Sequence, residues 1–219
     1  SAMEQDGNGS IAKVGLDGKI INCDWVTGLN APKGMGLYKN LLYVADLTEV
    51  VVIDIDNASI VHHLPVEGSV FLNDVTVDSQ GIVYVSDSRA NKVHRIENGK
   101  VSVYFENLRG VNGVLAVGRE LYILSSGSLL KADADRKLTT LAEGMDGSTD
   151  GIEMVTENEF IVSCWSGIVY YVKTDGSTQV LLDTRAQGIN SADIGYDAKK
   201  KIVYVPTFSG NSVCAYQLK

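Results

Sequence analysis

Asn73-Asp74-Val75-Thr76-Val77-Asp78-Ser79-Gln80-Gly81-Ile82-Val83-Tyr84-Val85-Ser86-Asp87 is the stretch on which the fold turns. A polar pair opens it, a β-branched run follows, a glycine turn interrupts, and a second apolar run ends in Asp. Segments this short, rich in Val, Ile and Tyr and bounded by turn residues, read as strands and not helices. The opening recurs as Lys33-Gly34-Met35, Asn112-Gly113-Val114, Asp150-Gly151-Ile152 and Ala192-Asp193-Ile194. Successive starts, at 33, 73, 112, 150 and 192, lie 40, 39, 38 and 42 residues apart, a period that belongs to solenoids, propellers and arrays.

Working outward, the run ending in Asp87 is echoed by Leu42-Tyr43-Val44-Ala45-Asp46, Leu121 to Ser125, Phe160 to Cys164 and Val203 to Thr207. A third run follows each: Val50 to Ile55, Lys92 to Ile96, Ser128 to Ala132, Gly167 to Val172 and Ser212 to Leu218. Turns then recur at Asp17-Gly18, Asn57-Ala58, Asn98-Gly99, Asp135-Arg136 and Asp175-Gly176. The Asp-Gly and Asn-Gly pairs among them accept positive φ and close tight hairpins. Four antiparallel strands per forty residues make the blade of an all-β propeller, read as the six-bladed type with about five blades present and the first incomplete, the alternative being that the two termini combine to close a five-bladed ring. Tyr43, Tyr84, Tyr122 and Tyr204 share one position and read as packing between blades. Residues 1–219 read as one propeller domain, with 1–9 as a tag remnant (Ser1-Ala2-Met3) and unstructured lead.

The formal charge of −8, with Lys and Arg scattered, lacks the basic patch that draws proteins to nucleic acid. Every apolar run falls short of the roughly 20 residues a membrane-spanning helix needs. Cys23, Cys164 and Cys214 are odd in number and without CxxC spacing, so they read as small buried apolar residues.

Residues at one phase of successive inner strands converge on the propeller axis. Asn73, Asn112 and Asp150 hold that phase and offer two amide oxygens and a carboxylate, a set suited to Ca²⁺ or Mg²⁺. Asn and Asp also form turns through their own backbone, and that reading stands beside the first. Lys33, Asp74, Asp193 and Trp165 are candidates to face a substrate. Asp74 and Asp193 read first as turn-stabilising residues, and Trp165 reads first as packing beneath a loop, with stacking on a sugar the alternative.

The motifs quoted at 73–87, 111–114, 150–152 and 160–167 resemble the senescence marker protein-30/gluconolactonase family of six-bladed propellers, across nearly the whole chain. The resemblance implies a bacterial member that hydrolyses a small lactone or related ester with a metal-activated water. It implies a divalent metal, Ca²⁺ first and Zn²⁺ or Mg²⁺ as alternatives, held by Glu, Asn, Asn and Asp from the first, third, fourth and fifth blades. Asn73, Asn112 and Asp150 fall on the last three positions, with Asp150 as ligand and general base. The strand for the Glu does not occur in this chain, so metal binding and turnover are expected to be weak. Exported relatives point to an extracytoplasmic place. The alternative is a non-catalytic propeller that binds a ligand or protein, as the similar NHL-repeat propellers do.

Other signals carry less. His62 and His63 are adjacent on a strand and point to opposite faces, so they cannot share a metal. His94 has no nucleophile elbow beside it. Asp133-Ala134-Asp135 lacks the glycine of a Ca²⁺ loop, and Gly18-Lys19 and Gly99-Lys100 lack the Ser or Thr of a phosphate loop.

Overall fold

A computed structural model describes residues 4–219. Two compact units are resolved, Ser1–Glu106 and Asn107–Lys219. The first holds β1 (Gly9–Val14) and β2 (Ile20–Leu29), then the meanders β3 (Pro32–Tyr38) to β6 (Ser59–Pro65) and β7 (Leu72–Val77) to β10 (Lys100–Phe105). The second holds β11 (Val111–Val117) to β14 (Leu138–Ala142), β15 (Thr149–Thr156) to β18 (Thr178–Asp183), and a three-stranded sheet of β19 (Gly195–Asp197), β20 (Ile202–Pro206) and β21 (Val213–Gln217). No described helix is long and apolar enough to cross a membrane.

The strand registers follow the repeat read from sequence, and the blade count is corrected by it. Five sheets begin with an inner strand, namely β3, β7, β11, β15 and β19, whereas β1 and β2 form only a two-stranded hairpin. A blade without its inner strand is not a blade, so among the described residues the count is five and not six.

The polar phase of the sequence has a local cause. In four sheets the inner strand carries a bulge at its head, where two residues oppose one on the next strand. The bulged pairs are Lys33-Gly34, Asn73-Asp74, Asn112-Gly113 and Asp150-Gly151, lying between the paired residues Pro32/Met35, Leu72/Val75, Val111/Val114 and Thr149/Ile152. A bulge leaves its residues outside the apolar ladder and bends the strand, so polar side chains are readily tolerated there. The second residue meets the neighbouring sheet. A Cβ on Gly151 would stand 2.6 Å from Ile194 N and 2.9 Å from Asp193 Cα, and one on Gly34 would stand 2.6 Å from Asp74 Cα.

The strand before each turn ends on a clasp for the loop that leads into the inner strand. Asp46 accepts the backbone N–H of Asn30 at 2.8 Å and of Ala31 at 2.5 Å. Asp87 accepts those of Val70 (2.7 Å), Phe71 (3.0 Å) and Ala90 (3.0 Å). In the second unit Ser125 Oγ donates to Arg109 O at 2.8 Å, and Cys164 Sγ to Asp146 O at 3.7 Å. Burial would raise the Asp87 carboxyl, but the nearby His94 ring and the three N–H donors outweigh it and hold the pKa at about 2. His94 itself is buried, its Nε2 3.7 Å from Asp87 Oδ2, beyond hydrogen-bond reach.

Sheets within each unit pack through the apolar faces of their central strands. Val44, Val51 and Ile53 close on Val26 and Leu29, and Ala45, Val50 and Leu72 on Val83 and Val85. In the second unit Tyr122 meets Phe160 at 4.7 Å, as expected of a tyrosine packing between blades. The hairpin turns take positive φ at Gly18, Gly99 and Gly176, and also at Ala58 (51°) and Arg136 (64°), where the sequence offers no glycine. All three cysteines are free, but only Cys164 is fully buried. Cys23 is exposed, because β2 is an outer strand of a two-stranded sheet.

Two outcomes follow. Gly151→Ala should cost roughly 1–3 kcal/mol by overpacking, whereas Gly147→Ala, with nothing within 4 Å of its added carbon, should be near neutral in the same denaturant titration. The Asp87 contribution is complete above the ordinary carboxylate range and is lost as pH falls from about 4 toward 2. Asp87→Asn should therefore remove roughly 2 kcal/mol at neutral pH and flatten the acid limb of the stability profile.

Candidate functional site

In the second unit the bulges of β11 and β15 bring two of the sequence candidates together. Asn112 Nδ2 donates to Asp150 Oδ1 at 2.8 Å. The Asn112 carbonyl oxygen is buried and has no hydrogen-bond partner among the described residues. A buried acceptor left in that state is costly and calls for an explanation.

Asp193 reaches the same place by a different device. The fifth sheet has no bulge, since β19 begins only at Gly195. Two serines tie the preceding segment to β16 (Glu159–Cys164) instead. Ser191 Oγ donates to Cys164 O at 2.7 Å. Ser163 Oγ donates to Ala192 O at 2.7 Å and accepts Gly151 N–H at 2.9 Å, so one buried hydroxyl holds the Asp150 bulge and the Asp193 segment in register. The Asp193 carboxylate accepts the N–H of Ile194 at 3.0 Å.

These positions concentrate negative charge. Burial, then the charge of Asp193, raises the Asp150 carboxyl to about 7 against the lowering effect of the Asn112 hydrogen bond. Glu153 is raised to about 7 by burial and by Asp193, with the Tyr196 backbone N–H opposing. Glu153 lies three residues beyond the bulge and carried no signal in the sequence. Ser163 did carry one, because Ser86 repeats it: Ser86 Oγ accepts Asp74 N–H at 2.9 Å, as Ser163 accepts Gly151. A carboxyl with a pKa near neutrality can both take and give a proton.

Lys33, Asn73 and Asp74 belong to the first unit. Asn73 Nδ2 donates to Ser88 Oγ at 3.1 Å. Asp74 is buried in the β7 bulge and accepts the next N–H, of Val75, at 2.7 Å, the same local bond that Asp193 makes with Ile194. Lys33 Nζ donates to Ala31 O at 3.1 Å and lies 4.7 Å from the centre of the Phe71 ring, which Arg89 also approaches at 4.7 Å. Burial lowers the Lys33 ammonium, and Arg89 adds to that effect while Asp46 opposes it. Trp165, in the second unit, is 47% exposed and meets Phe208 edge to face at 5.8 Å, so it is a surface residue and is not packed beneath a loop. His62 and His63 are both exposed, and His63 Nδ1 lies 3.1 Å from Glu49 Oε1. Among the described residues no group of three or more His, Cys, Asp or Glu side chains is placed to hold a metal ion.

No protein-family model matches the chain, and no curated protein matches it in sequence. Solved structures do match in fold. A nidogen/laminin complex aligns at a TM-score of 0.81 with 14% identity, over 97% of this chain and 87% of the other. A catalytically inactive virginiamycin B lyase from Staphylococcus aureus with quinupristin aligns at 0.72 and 13%, over 99% and 75%. A streptogramin B lyase aligns at 0.67 and 14%, over 85% and 68%. The resemblance to the gluconolactonase family therefore has no family match behind it, and likeness at these identities shows the fold alone: an all-β propeller.

Proposed function

We propose that the chain is a hydrolase of the lactonase type, acting on a small cyclic ester at Asn112 and Asp150 with the help of Ca²⁺. One observation carries the reading: the buried, unpartnered carbonyl oxygen of Asn112 beside the Asp150 carboxyl. The residues fit a hard cation on two counts. Their donors are all oxygen, and the raised carboxyls of Asp150 and Glu153 mark negative charge that a cation would relieve. Asn73 holds the equivalent bulge position in its own sheet, in the first unit. When bound, Ca²⁺ would supply Lewis acidity toward an ester carbonyl and a water.

The chain's own groups do the rest. Asn112 fixes the rotation of the Asp150 carboxyl through Oδ1, which leaves Oδ2 to take a proton from water and return it to the departing oxygen. Ser163 keeps the second carboxyl, Asp193, close enough to sustain the basicity of the first. That two fold neighbours are lyases agrees with catalysis on this scaffold.

Ca²⁺ should raise the melting temperature of the wild type and leave Asn112→Ala unmoved. Asp150→Asn should lower kcat on a simple lactone such as δ-valerolactone by at least about 100-fold. An absence of both a Ca²⁺ shift and turnover in the wild type would end the reading. With chelator present, the sign of the pH effect is set by the raised carboxyls. Between about pH 4 and pH 7 the folded chain binds more protons than the unfolded one, so stability falls as pH rises through that window. Asp150→Asn should make that slope shallower.

A further inference from the structure

Half-buried aromatic rings of the first unit carry the protein's own cations. Lys13 Nζ stands 5.7 Å from the centre of the Trp25 ring and Lys39 Nζ 4.9 Å from that of Tyr38, beside the approach of Lys33 and Arg89 to Phe71. In the second unit the two aromatic side chains most open to solvent are Trp165, at 47%, and Phe208, at 54%. Among the described residues no Lys or Arg stands over either ring. Trp165 follows the end of β16 and Phe208 the end of β20. They meet edge to face, 5.8 Å apart with their planes at 79°, so the rings make two walls of a nearly right-angled corner on the surface.

Both walls are held in place by the backbone. Trp165 N–H donates to Ser148 O at 2.8 Å, and Trp165 O accepts Asn190 Nδ2 at 2.8 Å. Phe208 has a left-handed backbone, φ 49°, which is unfavourable for so large a side chain and which burial does not repay, since the ring is exposed. Thr207 and Ser212 impose it: Thr207 N–H donates to Ser212 O at 2.9 Å, and Ser212 N–H to Thr207 Oγ1 at 3.3 Å. Strain of this kind persists only where the surrounding structure dictates it. The corner also has a charge beside it. Ser148, the partner of Trp165, donates its N–H and its hydroxyl to Asp146 Oδ1 at 3.0 and 2.5 Å, and those bonds hold the Asp146 carboxyl below the usual carboxylate range. Arg185, whose charge also acts on Asp146, is engaged by Asp183 at 2.9 and 2.6 Å.

We propose that the corner formed by Trp165 and Phe208 binds a small organic cation of the methylated ammonium class, with its charged head against both rings and in the field of Asp146. Aromatic faces carry negative potential and attract a cation placed over them. A methylated ammonium suits such walls best, because its charge is spread over apolar methyl groups and it asks for no hydrogen bonds, whereas a bare ammonium is strongly hydrated. A sugar stacked on Trp165 would need hydrogen-bonding groups around it, and the Asn190 amide nitrogen and the Ser148 hydroxyl are already bonded to Trp165 O and Asp146. The inference stands apart from the hydrolase reading, since it uses neither Asp150 nor Ca²⁺.

The chain has two tryptophans, so Trp25→Phe leaves Trp165 as the reporter of its own site. The experiment is a titration of that variant with choline chloride followed by tryptophan fluorescence, with sodium chloride, the uncharged analogue of choline that has carbon in place of nitrogen, and methyl glucoside as controls. A saturable change is expected with choline and not with sodium chloride, and at least about tenfold weaker binding of the uncharged analogue. Phe208→Ala should weaken choline by at least about tenfold, and Asp146→Asn by less. Phe208 is exposed, so its variant keeps the fold whatever Asp146→Asn does, and circular dichroism checks each protein. Absence of a saturable change with choline overturns the proposal, as does an undiminished affinity in folded Phe208→Ala. Equal binding of the uncharged analogue overturns it in favour of a merely apolar site, and binding of methyl glucoside in preference to choline overturns it in favour of a sugar.

Discussion

Neighbouring inner strands in this protein approach so closely at their heads that a single methyl group is too much at Gly34, Gly113 or Gly151. That constraint orders much else. A strand that must come this near its neighbour and then diverge needs a bend, and the bulge supplies it. The bulge in turn releases two residues per sheet from the ladder, the first free to be polar and the second a glycine in three of the four bulged sheets. Polar side chains gather at this rim because the apolar packing along much of each strand is suspended there.

The repeat was legible because that constraint is periodic. Lys33, Asn73, Asn112 and Asp150 stand out in the sequence since a bulge recurs at one place in every sheet that has one, and the turns and central strands followed from the same period. What was not legible were features without a repeat. Nothing in the sequence marks Glu153 as half-buried near Asp193, because its environment is made by a segment of another sheet. The fifth sheet also escapes the pattern, since Ser163 and Ser191 do by side-chain hydrogen bonds what a bulge does elsewhere. The six-bladed expectation failed for a related reason: two terminal strands share the spacing of a blade without the inner strand that defines one.

Function sits one level further from the sequence than fold. The pairing of Asn112 with Asp150 was suggested by a shared phase and is borne by a 2.8 Å hydrogen bond, but its chemistry arises from burial and from a second carboxylate, which no phase reports. Asp74 has the same position in its own sheet as Gly151 has in the fourth, yet its carboxylate is taken up by the N–H of the next residue, Val75. Equal position in a repeat fixes where a side chain starts, and its neighbours fix what it does.

The loop clasps add one more property. Where the first unit uses carboxylates at this position, the fourth sheet uses Cys164, fully sealed and with its thiol pushed up to about 12 chiefly by burial. A thiol in that condition is inert until the surrounding sheet parts, whereas Cys23 lies open to solvent. The chain thus contains its own clock for breathing motions. The rate at which alkylating reagents reach Cys164, set against the immediate reaction of Cys23, counts the openings of the very sheet that carries Asp150.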